Sequence, residues 1–175
     1  MPLNNLLLSS CLLPGKTSYT ENGVEINIKP SSGETILFFL IDNQSNPNCK
    51  LRQLLGLEQE GMKICDLIVF YAKESKRIIC FVELKGGDVK TATEQVMTTY
   101  TYFKKFLKQS EPSLNFIAKA YIKSNSSAPQ EIDKYKKELK QTFGEGNYDI
   151  SKNSDLGNFL RGVEYQPKGK SKKSR

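Results

Sequence analysis

A chain of 175 residues, 38% hydrophobic and 26% charged, is long enough for one substantial core, too short for two ordinary domains, and has no apolar stretch of membrane-spanning length. Histidine is absent, which excludes imidazole-based nucleases, Ser-His and Cys-His hydrolases, and zinc sites built on that ring. The net charge of +7 is concentrated at one end, where Lys168, Lys170, Lys172, Lys173 and Arg175 stand among the last eight residues with no acid between them.

Taken in order, Leu6-Leu-Leu8 before Cys11 has no basic stretch ahead of it, so a secretory signal is not expected and the chain is read as cytoplasmic. Thr17 to Ile28 and Glu34 to Ile41 are strand-like, separated by Pro30-Ser-Ser-Gly33, and predict an N-terminal hairpin or sheet extension over 17–41. Asn43 to Asn48 reads as a loop, and Asn48 to Gly56 as the end of a helix. Cys65 to Tyr71 and Arg77 to Lys85 are apolar strands around the polar turn Lys73-Glu-Ser-Lys76. Gly86-Gly87-Asp88 ends the second strand, and Thr91 to Gln109 is a helix whose Ala92, Val96, Tyr100, Phe103 and Leu107 recur at helical spacing. Asn115 to Ile122 predicts a third central strand, Ser124 to Pro129 a loop and Glu131 to Phe143 a second helix. Beyond Gly144 the expectation is irregular structure, with Leu156 to Leu160 docking on the core. The cysteines Cys11, Cys49, Cys65 and Cys80 lack paired metal-ligand spacing and read as reduced, buried thiols. Residues 168–175 predict a disordered basic tail: an arm that follows a phosphate backbone, or a solubilising end without a dedicated partner.

The central hairpin brings chemistry together. With the turn centred between Glu74 and Ser75, opposed residue numbers add to 149, and Asp66 faces Glu83. Directly opposed residues have Cβ atoms roughly 5 Å apart, close enough for two carboxylates to share a divalent ion. Strand alternation puts Lys85 on the face of Glu83. The same register pairs Ile68 with Phe81 and Phe70 with Ile79 on that face, and sends Leu67, Val69, Val82 and Cys80 to the other. Both faces are apolar, as in strands covered on two sides. Charged residues at the end of such a hairpin are costly to desolvate unless compensated, and a bound cation is the natural compensator. Carboxylate donors suit magnesium or manganese rather than zinc.

Acid, hairpin, Glu83-Leu84-Lys85, turn, then a helix carrying Gln95: over about residues 50–122 this order resembles the PD-(D/E)xK nuclease superfamily, with Cys65-Asp66 where the family has Pro-Asp. The resemblance implies a restriction-endonuclease-like α/β sandwich, with a central mixed sheet flanked by helices, in a single nuclease-like domain over 1–167. It implies that Asp66 and Glu83 bind a divalent metal, normally Mg2+ with Mn2+ as a substitute. Lys85 would position or activate the attacking water, the Leu84 carbonyl would add a metal ligand, and Gln95 would orient the substrate or the lysine. The RecB-type subgroup carries a tyrosine four residues after the glutamine; Thr99 stands there, with Tyr100 and Tyr102 nearby. Of the remaining acids, Glu58 and Glu60 read as a solvated turn before the strand, and Glu34 and Asp42 as farther candidates; all four stay outside the catalytic set.

The expected function is metal-dependent hydrolysis of phosphodiester bonds, with nucleic acid as partner, DNA favoured over RNA, a homodimer or larger protein partner compatible, and no membrane. The alternatives are a catalytically silent nuclease-fold module that binds nucleic acid or assembles with a partner, and an unrelated α/β interaction protein with a basic tail.

Overall fold

The computed structural model describes residues 11–42, 50–59, 61–85, 87–110, 115–125 and 131–163, with side chains up to 105 in the segment that ends at 110. The expected tail at 168–175, Cys49, Glu60, the 43–48 loop and the Leu107 side chain fall outside these.

The chain is mixed α/β. Among the described residues a six-stranded sheet runs in the order β1 (Leu12–Leu13), β4 (Glu34–Leu40), β5 (Leu67–Lys73), β6 (Lys76–Lys85), β7 (Ile117–Ser124) and β8 (Tyr148–Ser151). Neighbours from β1 to β6 are antiparallel, while β6, β7 and β8 are parallel, so the sheet is mixed. A separate two-stranded hairpin, β2 (Ser18–Glu21) with β3 (Val24–Asn27), lies outside it. The helices are α1 (Lys50–Leu55), α2 (Val89–Ser110), α3 (Ile132–Phe143) and α4 (Leu156–Arg161).

Pairing in the β5–β6 hairpin follows the register read from the turn: Ile68 opposes Phe81, Phe70 opposes Ile79 and Lys73 opposes Lys76 across Glu74-Ser75. Alternation then divides the core as expected. Ile68, Phe70, Ile79 and Phe81 join Leu51, Leu55, Ala92, Val96, Phe103, Leu139 and Phe143 in one cluster, which places α1, α2 and α3 on that face. Leu67, Val69, Cys80 and Val82 join Val24, Ile26, Ile28, Leu156 and Leu160 in the other, beneath the β2–β3 hairpin and α4. Each buried Leu, Val, Ile or Phe stabilises by about 1.5–3 kcal/mol, so a strand with two apolar faces is held centrally. Helix α2 begins two residues before the expected start because Asp88 caps it, its Oδ1 accepting the Thr91 N–H at 2.9 Å.

Two N- and C-terminal expectations need correction. Of the expected hairpin or sheet extension over 17–41, the 34–41 half does extend the sheet, whereas Thr17–Ile28 is a hairpin in itself; Asn22 and Gly23 both take positive φ, 49° and 76°, and close a tight turn whose twist suits a two-residue hairpin. The 34–41 segment instead pairs with β5. Beyond Gly144 the chain forms β8, which extends the parallel edge beside β7, before Leu156 and Leu160 dock as expected. Tyr148-Asp-Ile-Ser151 does alternate apolar and polar, but over only four residues, the shortest run that marks a strand.

Glu34, a distant site candidate by sequence, is a structural clamp. Its Oε1 and Oε2 accept two 2.8 Å bonds from Arg161 Nε and Nη2, and Tyr71 Oη and Ser31 N also donate to it. The Arg161 bonds hold the Glu34 carboxyl down at about 2, burial opposing them. A depressed carboxyl contributes stability above its unfolded value of about 4.3, lost as pH falls through 4 toward 2. We expect Arg161→Ala, whose side chain is 21% exposed, to cost about 3 kcal/mol and to weaken that acid-dependent loss, Tyr71 and Ser31 still donating to Glu34. Thermal denaturation of both proteins from neutral to acid pH checks this.

Candidate functional site

Asp66 sits at the entry to β5, and its approach is tied down by α2. Gln95 Nε2 donates to the Ile64 carbonyl at 2.8 Å, the Cys65 N–H donates to Thr99 Oγ1 at 2.9 Å, and Thr99 Oγ1 donates back to the Gln95 carbonyl. On the other side, the Ile41 N–H donates to the Asp66 carbonyl at 3.0 Å. With its backbone held from both sides, Asp66 has little freedom of placement.

Two hydrogen bonds tie Asp66 to β6 across the hairpin, one to the Glu83 side chain and one from the Leu84 backbone. Asp66 Oδ2 accepts the Leu84 N–H at 2.7 Å, and the Asp66 N–H donates to Glu83 Oε2 at 3.2 Å. Each carboxylate therefore has one oxygen engaged by backbone and one left over. Lys85 Nζ forms a 3.1 Å ion pair with Glu83 Oε1, which is buried and has no other partner among the described residues. Asp66 is 4% exposed and Glu83 0%.

Such burial has an electrostatic consequence. Desolvation, then repulsion from Glu83, pushes the Asp66 carboxyl well up, with the Leu84 N–H opposing. Desolvation likewise raises Glu83, against the pull of Lys85. For Lys85, burial lowers the ammonium, but Glu83, Asp66 and Glu21 together outweigh it and raise it. One lysine thus faces more carboxylate than it neutralises, an arrangement that favours a proton or a cation. Carboxylate oxygens, one of them fully buried with only the Lys85 ammonium beside it, are hard donors of the kind a divalent ion takes. Among the described residues no three acid, cysteine or histidine side chains stand together in metal-holding geometry.

Gln95 is 7% exposed and its amide nitrogen is committed to Ile64, two residues before Asp66, while its Oε1 is buried without a partner. Its visible task is to position the Asp66 approach. Glu58 is exposed and Glu34 is held by Arg161, so neither joins the cluster. Asp42 lies within electrostatic reach of Lys85 and Arg52, and burial raises its carboxyl.

Glu21 was missed. It ends β2, contacts the Asp66 carboxyl through its own, and has Oε2 buried without a partner. The signal that leads to it is Asn22-Gly23: that turn makes 17–28 a hairpin and puts Glu21 opposite the buried Val24.

A groove of about 920 Å³ lies elsewhere, between β7, β8 and α4, and is lined by Lys119, Tyr121 and Phe159 among others. Lys119 Nζ donates there to the Gly146 and Phe159 carbonyls, which occupy two of its donors. No helix among the described residues is long and apolar enough to cross a membrane. Compared with family models, curated proteins and solved structures, the chain matches none.

Raised carboxyls contribute stability that is complete below about pH 4 and is lost as pH rises through their folded values. In chelator, stability should fall on going from about pH 5 to about pH 8, and Glu83→Gln should make that fall shallower and raise the melting temperature at the alkaline end. Melting curves across this range decide it; an unchanged slope in the variant would remove Glu83 as the source.

Proposed function

We propose that this chain is a divalent-metal-dependent nuclease of the PD-(D/E)xK type, with a restriction-endonuclease-like fold, hydrolysing phosphodiester bonds of nucleic acid, DNA in preference to RNA. The observation that carries the reading is the buried Asp66–Glu83 pair, locked by reciprocal backbone bonds with Lys85 beside it. Magnesium, or manganese in its place, would supply Lewis-acid polarisation of the phosphate and acidify the attacking water when bound.

The chain's own residues do the rest. Asp66 and Glu83 would hold the ion through the oxygens that the backbone leaves over, Asp66 Oδ1 and Glu83 Oε1. Were Glu83 to hold the ion, Lys85, one-third exposed and now 3.1 Å from Glu83 Oε1, would be the group left to meet the phosphate or the nucleophilic water. Fixed backbone bonds at Asp66 mean that little reorganisation is needed at the moment of reaction. Gln95 acts on this centre through the Ile64 carbonyl, as a positioning residue.

One observation favours the second reading, a silent module that binds nucleic acid or a partner. The Lys85–Glu83 pair partly neutralises the site by itself, and a fold that had given up catalysis would keep such a pair. Cleavage separates the two. Wild type is expected to cut single- or double-stranded DNA or RNA in magnesium or manganese, with Asp66→Ala and Lys85→Ala each slowing it by on the order of 10²–10³-fold or more. Salt-sensitive binding without cutting in either metal would establish the module instead.

A further inference from the structure

We infer that Lys123 and Lys152, at the carboxyl ends of β7 and β8, hold the phosphate next to the scissile one, so that a nucleic-acid strand cut at Asp66 and Glu83 runs along the ends of the parallel strands toward β8. The inference rests on the nuclease reading above and adds to it the path of the substrate.

The sheet sets the placement. Strands β6, β7 and β8 are parallel and end within one residue of one another, Lys85 being paired with Ser124 and Lys123 with Ser151. In open α/β sheets, ligands bind beyond the carboxyl ends of such strands. Lys123 pairs with Leu84, the residue between Glu83 and Lys85 whose N–H holds Asp66 Oδ2. One strand spacing, roughly 4.8 Å, therefore separates the Lys123 and Leu84 backbones. Lys152 is exposed and follows Ser151, one spacing further from the acid pair.

Lys123 is an ammonium without a counter-ion. It is 3% exposed, yet no acid pairs with it among the described residues. A lysine is almost never buried to that extent unless paired. Lys119, on the same face of β7, shows how this chain satisfies such a group without an acid: it is 5% exposed, its Nζ donates to the Gly146 and Phe159 carbonyls, and it lies 4.3 Å from the centre of the Phe159 ring. Lys123 has no such set. One acceptor is in place for it among the described residues, Asn125 Oδ1 at 2.7 Å, and an ammonium has further N–H groups to give. Asn125 is exposed, so the lysine stem is covered while its head reaches the surface at the end of the strand. Burial, then the charge of Lys152, hold the Lys123 ammonium below its ordinary value, and an anion between the two lysines offsets both. A phosphodiester supplies that anion at a fixed interval along a strand, whatever its base sequence.

Binding of a DNA oligonucleotide to the full chain in chelator, titrated with salt, tests this without reference to cleavage. Lys123→Met, which keeps the apolar stem, and Lys152→Ala, at an exposed position, are each expected to flatten the slope of log K against log salt by about one and to weaken binding about tenfold near ~0.1 M salt. Lys137→Met, an exposed lysine on α3, should behave as wild type. In magnesium, an uncharged methylphosphonate in place of the phosphate beside the mapped cut should slow wild type by a similar factor and slow Lys123→Met hardly further. If both variants bind with the wild-type slope while wild type cuts, the path falls alone. If wild type cuts nothing but the variants still flatten the slope, the phosphate contact stands and the nuclease reading falls. A wild type that binds no oligonucleotide sinks both.

Discussion

Everything at the candidate site depends on the antiparallel register of β5 and β6. A two-residue turn at Glu74-Ser75 sets that register, and each step away from the turn brings one more apolar pair onto each face. By Leu67 and Val82 the faces are fully buried, and the next pair is Asp66 with Glu83. A slip by one residue would send Ile68, Phe70, Ile79 and Phe81 to the wrong face together, at a cost of several times about 1.5–3 kcal/mol. Packing of the hairpin is therefore what holds two carboxylates side by side against their own repulsion.

That repulsion is the site's other half. Desolvating an ion costs several kcal/mol, more than one buried leucine returns, so the cluster is tolerated only because it is small and set in a large core. Reciprocal bonds to the Asp66 and Leu84 N–H groups offset part of the penalty, and Lys85 offsets another part. What remains is carried as raised carboxyl affinities for protons, the same quantity that a divalent ion would exploit. Structure and electrostatics thus meet at one point: the carboxylates are where the sheet's packing forces them, and their unspent charge is what makes them useful.

Around this point the two faces of the sheet play different parts. Helix α2 fixes the approach to Asp66 through Gln95, which donates to the Ile64 carbonyl, and Thr99, whose Oγ1 accepts the Cys65 N–H. The opposite face is closed by the β2–β3 hairpin and α4, which Arg161 and Glu34 lock to β4. Glu34 and Glu21 show how little a residue type says alone. One glutamate meets a guanidinium and is structural, whereas the other meets a carboxyl and is left with a bare oxygen.

Local chemistry was legible without coordinates wherever it was periodic. The turn polarity, the alternation of β5 and β6, the 3.6-residue stripe of α2 and the Asp66, Glu83 and Lys85 alignment all follow from neighbours close in sequence. Even Asn22-Gly23 carried a hairpin signal that went unread. Only the tertiary structure could show that Glu21 interacts with Asp66, because the two are 45 positions apart and meet through packing of a hairpin onto a sheet. It alone could show that Gln95 is committed to Ile64, that Glu34 is a clamp, and that Tyr148–Ser151 joins a parallel edge. Periodicity reports which face of an element is apolar; it is silent on which other element that face will meet, since that choice is made by shape and burial across the whole chain.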